Sequence, residues 1–168
     1  AAPAPVGVPF DKAFLDAMIP HHQMALVMAR AAQAKGLKNA ALTRIATAIL
    51  ATQAKEIAQM KAWRAAWYPG AKALSGDAAG KVLGLGAAAM GMAHDASALA
   101  RSTDVDADFA ALMVPHHQGA VAMARLALRK ATHPELKAMA RAIIAAQTRE
   151  IAQMKPLAAG SMAGMDMG

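Results

Sequence analysis

From Leu42 onward the apolar positions fall at three- and four-residue steps: Leu42, Ile45, Ile49, then Ile57 and Met60, ending at Arg64 or Trp67, with Gln53 inside the stripe. Such spacing lines one face of a helix with about 3.6 residues per turn. Upstream, Phe14, Met18, His21, His22, Ala25 and Met28 share an arc of about 120° on a helical wheel, and Asp16 and Gln23 fall outside it. The pattern predicts one helix from an N-cap at Asp11 to Lys35, closed by Gly36, and a second from about Asn39 to Trp67. A third is expected over Asp106–Lys130 and a fourth from Pro134 to Met154, ending near Pro156.

The two halves of the chain are copies. Met18-Ile19-Pro20-His21-His22-Gln23 returns as Met113-Val114-Pro115-His116-His117-Gln118, an offset of 116 − 21 = 95. Phe14, Ala25, Met28 and Arg30 recur at the same offset as Phe109, Ala120, Met123 and Arg125. Downstream, Gln53, Glu56, Ile57, Gln59 and Met60 recur as Gln147, Glu150, Ile151, Gln153 and Met154, with 150 − 56 = 94. Self-similarity at fixed spacing marks one supersecondary unit used twice. Two helical hairpins of this kind predict an all-α, antiparallel four-helix bundle, with a connection long enough for a ferritin-like crossing.

The expected organisation is an extended leader over 1–9 and one domain over 10–157, comprising repeat one (10–67), connection (68–104) and repeat two (105–157). A flexible Met-rich tail follows over 158–168. Weakly helical pieces are expected near 77–89 and 95–101. Pro20 and Pro115 fall inside their helices, as a used kink or as a fresh helix start.

Composition narrows the chemistry. Aromatics are only 4% of residues, so strands are disfavoured, and the net charge of +7 comes from scattered cations without stacking aromatics, which argues against nucleic acid. No uncharged run reaches the roughly 18 residues of a membrane span. With no cysteine there is neither disulfide nor thiolate, but thirteen methionines are present. The start at Ala1-Ala2-Pro3 predicts a mature secreted or periplasmic bacterial protein after signal-peptide removal, or an artificial start.

Thioether and imidazole without thiolate suit Cu(I), with Ag(I) as its mimic. The expected metal ligands are Met18, His21, His22 and Met60 for one site, and Met113, His116, His117 and Met154 for the other. Auxiliary ligands are Met28 and Met123, Met90, Met92 and His94 in the connection, and Met162, Met165 and Met167 in the tail. Gln53, Glu56, Gln147 and Glu150 share the buried faces of their helices and are expected to orient the histidines. His133, before a proline in a turn, reads as a surface residue. A di-iron bundle is weakly supported: glutamate occurs only at 56, 135 and 150, and Gln59 and Gln153 stand where Glu-x-x-His would need histidine.

At these motifs the chain resembles the bacterial family of unknown function numbered 305, whose members carry Met-Ile-Pro-His-His-Gln and a downstream Gln-x-x-Glu-Ile-x-x-Met. The resemblance covers about residues 10–157, including Met90-Gly91-Met92. It implies a ferritin-like fold and export, and some members are periplasmic copper-binding proteins linked to copper resistance. One departure is Met24, where the second repeat has Gly119. The expected function is Cu(I) sequestration or transfer outside the cytoplasm, with the metal ion and a copper donor or acceptor protein as candidate partners, and not an enzyme. The competing readings are a metal-dependent oxidase or peroxide-handling enzyme, and a structural module whose His pairs are hydrogen-bond hubs.

Overall fold

The structure, a computed structural model, describes residues 5–92 and 96–166. Over these the regular structure is entirely helical: α1 (Phe10–Lys35), α2 (Ala40–Trp67), α3 (Gly76–Leu83), a short 3-10 helix (Ala96–Arg101), α4 (Val105–Lys130) and α5 (Pro134–Asp166). The helix ends follow the capping residues. Gly36 closes α1 in the left-handed conformation, φ 103°, and the Asn39 side chain accepts from the Ala41 and Leu42 amides to open α2. α1 and α4 run without interruption through their prolines, so Pro20 and Pro115 are interior residues rather than restarts. Each lacks the N–H that would reach the carbonyl four residues earlier.

α1 packs against α2 and α4 against α5, and the two pairs meet chiefly along α1 and α4. The core divides into two clusters. One holds Phe14, Met18 and Met60 with Met123, Ala127, Leu136 and Ile143. The other holds Phe109, Met113 and Met154 with Met28, Leu42 and Ile49. The start of α1 therefore lies against the end of α4, and the two helices run antiparallel. The clusters exchange under the repeat: each takes a phenylalanine and two methionines from one half and one methionine from the other.

Three expectations are corrected. Asp11 does not cap its own helix, whose N-cap is Pro9 without a side-chain bond. It reaches the turn of the other hairpin, accepting from Thr132 N at 3.0 Å and His133 N at 2.9 Å, with His133 Nδ1 at 2.5 Å. Asp106, its repeat partner, likewise accepts from Lys38 N and Asn39 N, both at 2.9 Å, while Asp104 caps α4. Each aspartate thus ties the start of one hairpin to the turn of the other.

Asp16, outside the apolar arc, is nonetheless buried. It pairs with Lys12 Nζ at 2.6 Å and with Arg64, and accepts from Leu74 N at 2.9 Å. The connection covers that face of α1, so a polar position there is paired rather than solvated. Finally, α5 does not end near Pro156 but continues to Asp166. Leu157 and Ala158 pack on the second cluster, and the alanine-rich sequence that follows favours helix once packing holds it.

Asp11 carries the first prediction. Burial raises its pKa, but the bonds from His133 and Thr132 outweigh this and hold it below the ordinary 3.8. A depressed carboxylate contributes stability above its unfolded pKa and loses it as pH falls through the folded value. Asp11→Ala is expected to cost about 2–4 kcal/mol at neutral pH. Thermal melts should show that difference shrinking as pH falls below the ordinary carboxylate range and through the depressed folded-state value. A constant difference down to the acid limit would remove the carboxylate from the account.

Candidate metal centre

Between the two apolar clusters lies a polar layer built by both halves. His21, His22, His116 and His117 are all buried, as are Gln53 and Gln147. The antiparallel meeting of α1 and α4 sets His21 face to face with His116, ring centroids 3.7 Å apart and planes 20° from parallel. The second histidine of each pair turns to its own hairpin. His22 Nε2 lies 2.7 Å from Glu56 Oε1, and His117 Nε2 lies 2.6 Å from Glu150 Oε1.

For a neutral ring beside an ionised carboxylate, which only accepts, this bond puts the proton on Nε2 and leaves Nδ1 with a lone pair. Nδ1 of both His22 and His117 is buried with no hydrogen-bond partner. Gln53 Oε1 and Gln147 Oε1 are in the same condition. Bare lone pairs in a dry interior are costly in a protein that leaves them so, and are what a metal ion consumes.

His21 is held neutral. Burial lowers its pKa well below 6.5, and the neighbouring His116, His22 and His117 push the same way. The Met90 backbone pulls weakly in the other direction, without a hydrogen bond of normal geometry to either ring nitrogen of His21. A neutral imidazole is the ligand form.

Among the described residues, no three His, Asp or Glu side chains are grouped to hold one ion. Met18 and Met60 lie in one flanking cluster and Met113 and Met154 in the other. Met28 belongs with Met113 and Met154, and Met123 with Met18 and Met60, an exchange that the repeat alone does not reveal. Met90 is buried in the Met18 cluster and Met92 packs partly against it. Met162 and Met165 fall on the last turns of α5, while His94 and Met167 lie outside the described residues.

A cleft of about 130 Å³ between α2 and α5 leads toward the layer and is lined in matching fashion by Gln53, Glu56, Gln147 and Glu150. The glutamates stay in touch with solvent there, at 14% and 18% side-chain exposure. His133 takes no part in the centre: it is half-buried, bonded to Asp11 and stacked on Trp67 at 3.5 Å. Its position before Pro134 gave no sign of either contact.

The chain belongs to the family described as Domain of unknown function (DUF305), matched over residues 11–158. It is similar to CopM in the Cu(I)-bound form, with 33% identity over 87% of this chain and 93% of that one, TM-score 0.71. For CopM in the Cu(II)-bound form the identity is 33% over 89% and 96%, TM-score 0.74, and CopM is also known in an Ag-bound form. A DUF305 protein from Streptomyces coelicolor, described as secreted, shares 29% identity over 90% of this chain and 93% of its own, TM-score 0.77. No curated protein matches. No helix among the described residues is long and apolar enough to cross a membrane.

Proposed function

We propose that this chain is an extracytoplasmic Cu(I)-binding protein that sequesters copper or hands it to a partner. The observation that carries the reading is the pair of buried histidines, His22 and His117, each fixed by a glutamate at Nε2 and bare at Nδ1, beside clusters of buried methionine. Met18, His21, His22 and Met60 form one site, and Met113, His116, His117 and Met154 the other. Glu56 and Glu150 hold the imidazoles in place, and Gln53 and Gln147 complete the layer. Met28 and Met123 assist across the hairpins. Around this centre residues 10–157 form a single antiparallel four-helix bundle of ferritin-like type.

Softness favours Cu(I) over harder ions, because thioether and neutral imidazole outnumber free carboxylates. Both glutamates of the layer are engaged with histidine, which leaves little for a carboxylate-bridged oxidase centre. CopM, known with Cu(I), Cu(II) and Ag, supports the ion, and the secreted relative supports export.

An anaerobic Cu(I) titration against a competing chromophoric chelator tests the reading. Two saturable equivalents withdrawn from the chelator are expected, one per repeat. Failure of the protein to compete at all would end the copper assignment.

A further inference from the structure

Met24 and Gly119 stand at matching places in the two halves, 119 − 24 = 95, and there the repeat departs from itself. The structure supplies a reason. A Cβ at Gly119 would lie 1.9 Å from the Met90 carbonyl oxygen and 2.5 Å from the Gly91 nitrogen. A Cβ at Gly91, itself left-handed with φ 73°, would lie 2.4 Å from the Pro115 carbonyl and 2.8 Å from His116 Cα. Backbone meets backbone at this crossing, and neither position has room for a side chain. The connection is thereby laid across α4 beside His116.

The crossing delivers a methionine. Met90 is only 5% exposed and joins Met18, Met60 and Met123 in the first cluster, with Met92 and Met139 partly buried against it. Its methyl group points at α3, 3.0 Å from where a Cβ at Gly80 would be. On the other side Met24 packs, half-buried, against the cluster of Met28, Met113 and Met154. Each cluster thus has three methionines that the repeat matches; the second adds Met24, and the first adds Met90 in its buried part, with Met92 and Met139 at its margin.

We propose that Met90 is the counterpart of Met24, so that the connection returns to one Cu(I) site the thioether that Gly119 omits. The two sites then differ in kind. Met24 is fixed in the middle of α1. Met90 sits on a non-helical strap whose backbone bonds include Met90 N to Gly86 O at 3.0 Å, Gly91 N to Ala88 O at 3.0 Å and Met92 N to Ala87 O at 2.9 Å, which tie neighbouring strap residues to one another. The strap site exchanges its ion faster, and the Met24 site retains its ion longer. This inference rests on the copper-binding reading above.

The test compares wild type with Met24→Leu, Met90→Leu and the double variant. Leucine keeps the apolar bulk and removes the sulfur. Anaerobic Cu(I) competition titrations and stopped-flow release to excess chelator are recorded, with a thermal melt to verify folding. Wild type is expected to release Cu(I) in two phases. Met90→Leu should weaken one equivalent by roughly tenfold or more and hasten only the faster phase, the scale at which even an outer-shell loss weakens a metal site. Met24→Leu should do the same to the other equivalent and the slower phase. Two normal phases in both single variants would show the sulfurs to be packing alone, and action of both on one equivalent would break the pairing; either overturns the proposal while the copper reading stands. A wild type that takes up no Cu(I) overturns both.

Discussion

Replacing His21, His22, His116 and His117 together by leucine is expected to abolish tight Cu(I) binding and to raise the melting temperature of the metal-free protein. The direction of the second effect matters more than the first. Both ring nitrogens of His21, and Nδ1 of His22 and His117, are buried without hydrogen-bond partners. Each such atom costs about 1–3 kcal/mol in a folded protein. Against this stand two bonds to carboxylate, worth about 1.5–3 kcal/mol each. Glu56 and Glu150 reach the α2–α5 cleft and can hydrate once their histidines are gone. Leucine adds apolar burial in a space of similar size. The balance favours the variant by a few kcal/mol, or roughly 5 °C or more for a chain of this length. Stability given up at a site is the signature of a ligand set kept ready for an ion. If the histidines were hydrogen-bond hubs instead, the variant would melt earlier. An earlier melt with Cu(I) affinity unchanged would sink the assignment of the metal to this layer.

How far the sequence carries this picture differs from residue to residue. The helices, their caps at Gly36 and Asn39 and the buried face shared by Met18, His21 and His22 are local matters, set by periodicity and by side chains within a turn of one another. The contact of His22 with Glu56 follows from two faces on one hairpin. The exchange of Met28 and Met123 does not, because it depends on α1 meeting α4 antiparallel, a relation between halves that no single stripe encodes. The same holds for Asp11 and Asp106, which look like ordinary helix caps but bond to the other hairpin. Asp16 was hidden for a different reason: a helical wheel separates core from solvent and has no place for a connection that covers the outer face. Pro156 reads as a stop in the sequence because proline lacks an N–H, yet the helix runs through it, with Leu157 and Ala158 packed on the second cluster. Gly119 was visible as a mismatch in the repeat, but its cause lay in a loop about thirty residues away, at Met90 and Gly91.

Buffered Cu(I) at a free concentration about 100 times the dissociation constant should stabilise the folded protein by about 2.7 kcal/mol per site. For two sites that is roughly 5 kcal/mol, or a rise in melting temperature on the order of 10–20 °C. The effect requires that the ligands exist as a set only in the folded chain. That condition separates the buried layer from the methionines at the end of the sequence. His22 and Met60 come from different helices, and His117 and Met154 likewise, so unfolding scatters them. Met162, Met165 and Met167 are close neighbours along the chain and remain so after unfolding. Copper held there would bind folded and unfolded forms alike and shift nothing. Differential scanning calorimetry of the protein with and without buffered Cu(I), alongside the four-histidine variant, reads the distinction directly. A large upward shift in wild type that is absent from the variant places the ion between the hairpins. A saturated protein whose melt does not move would assign the copper to the terminal methionines and leave the histidine layer without cargo.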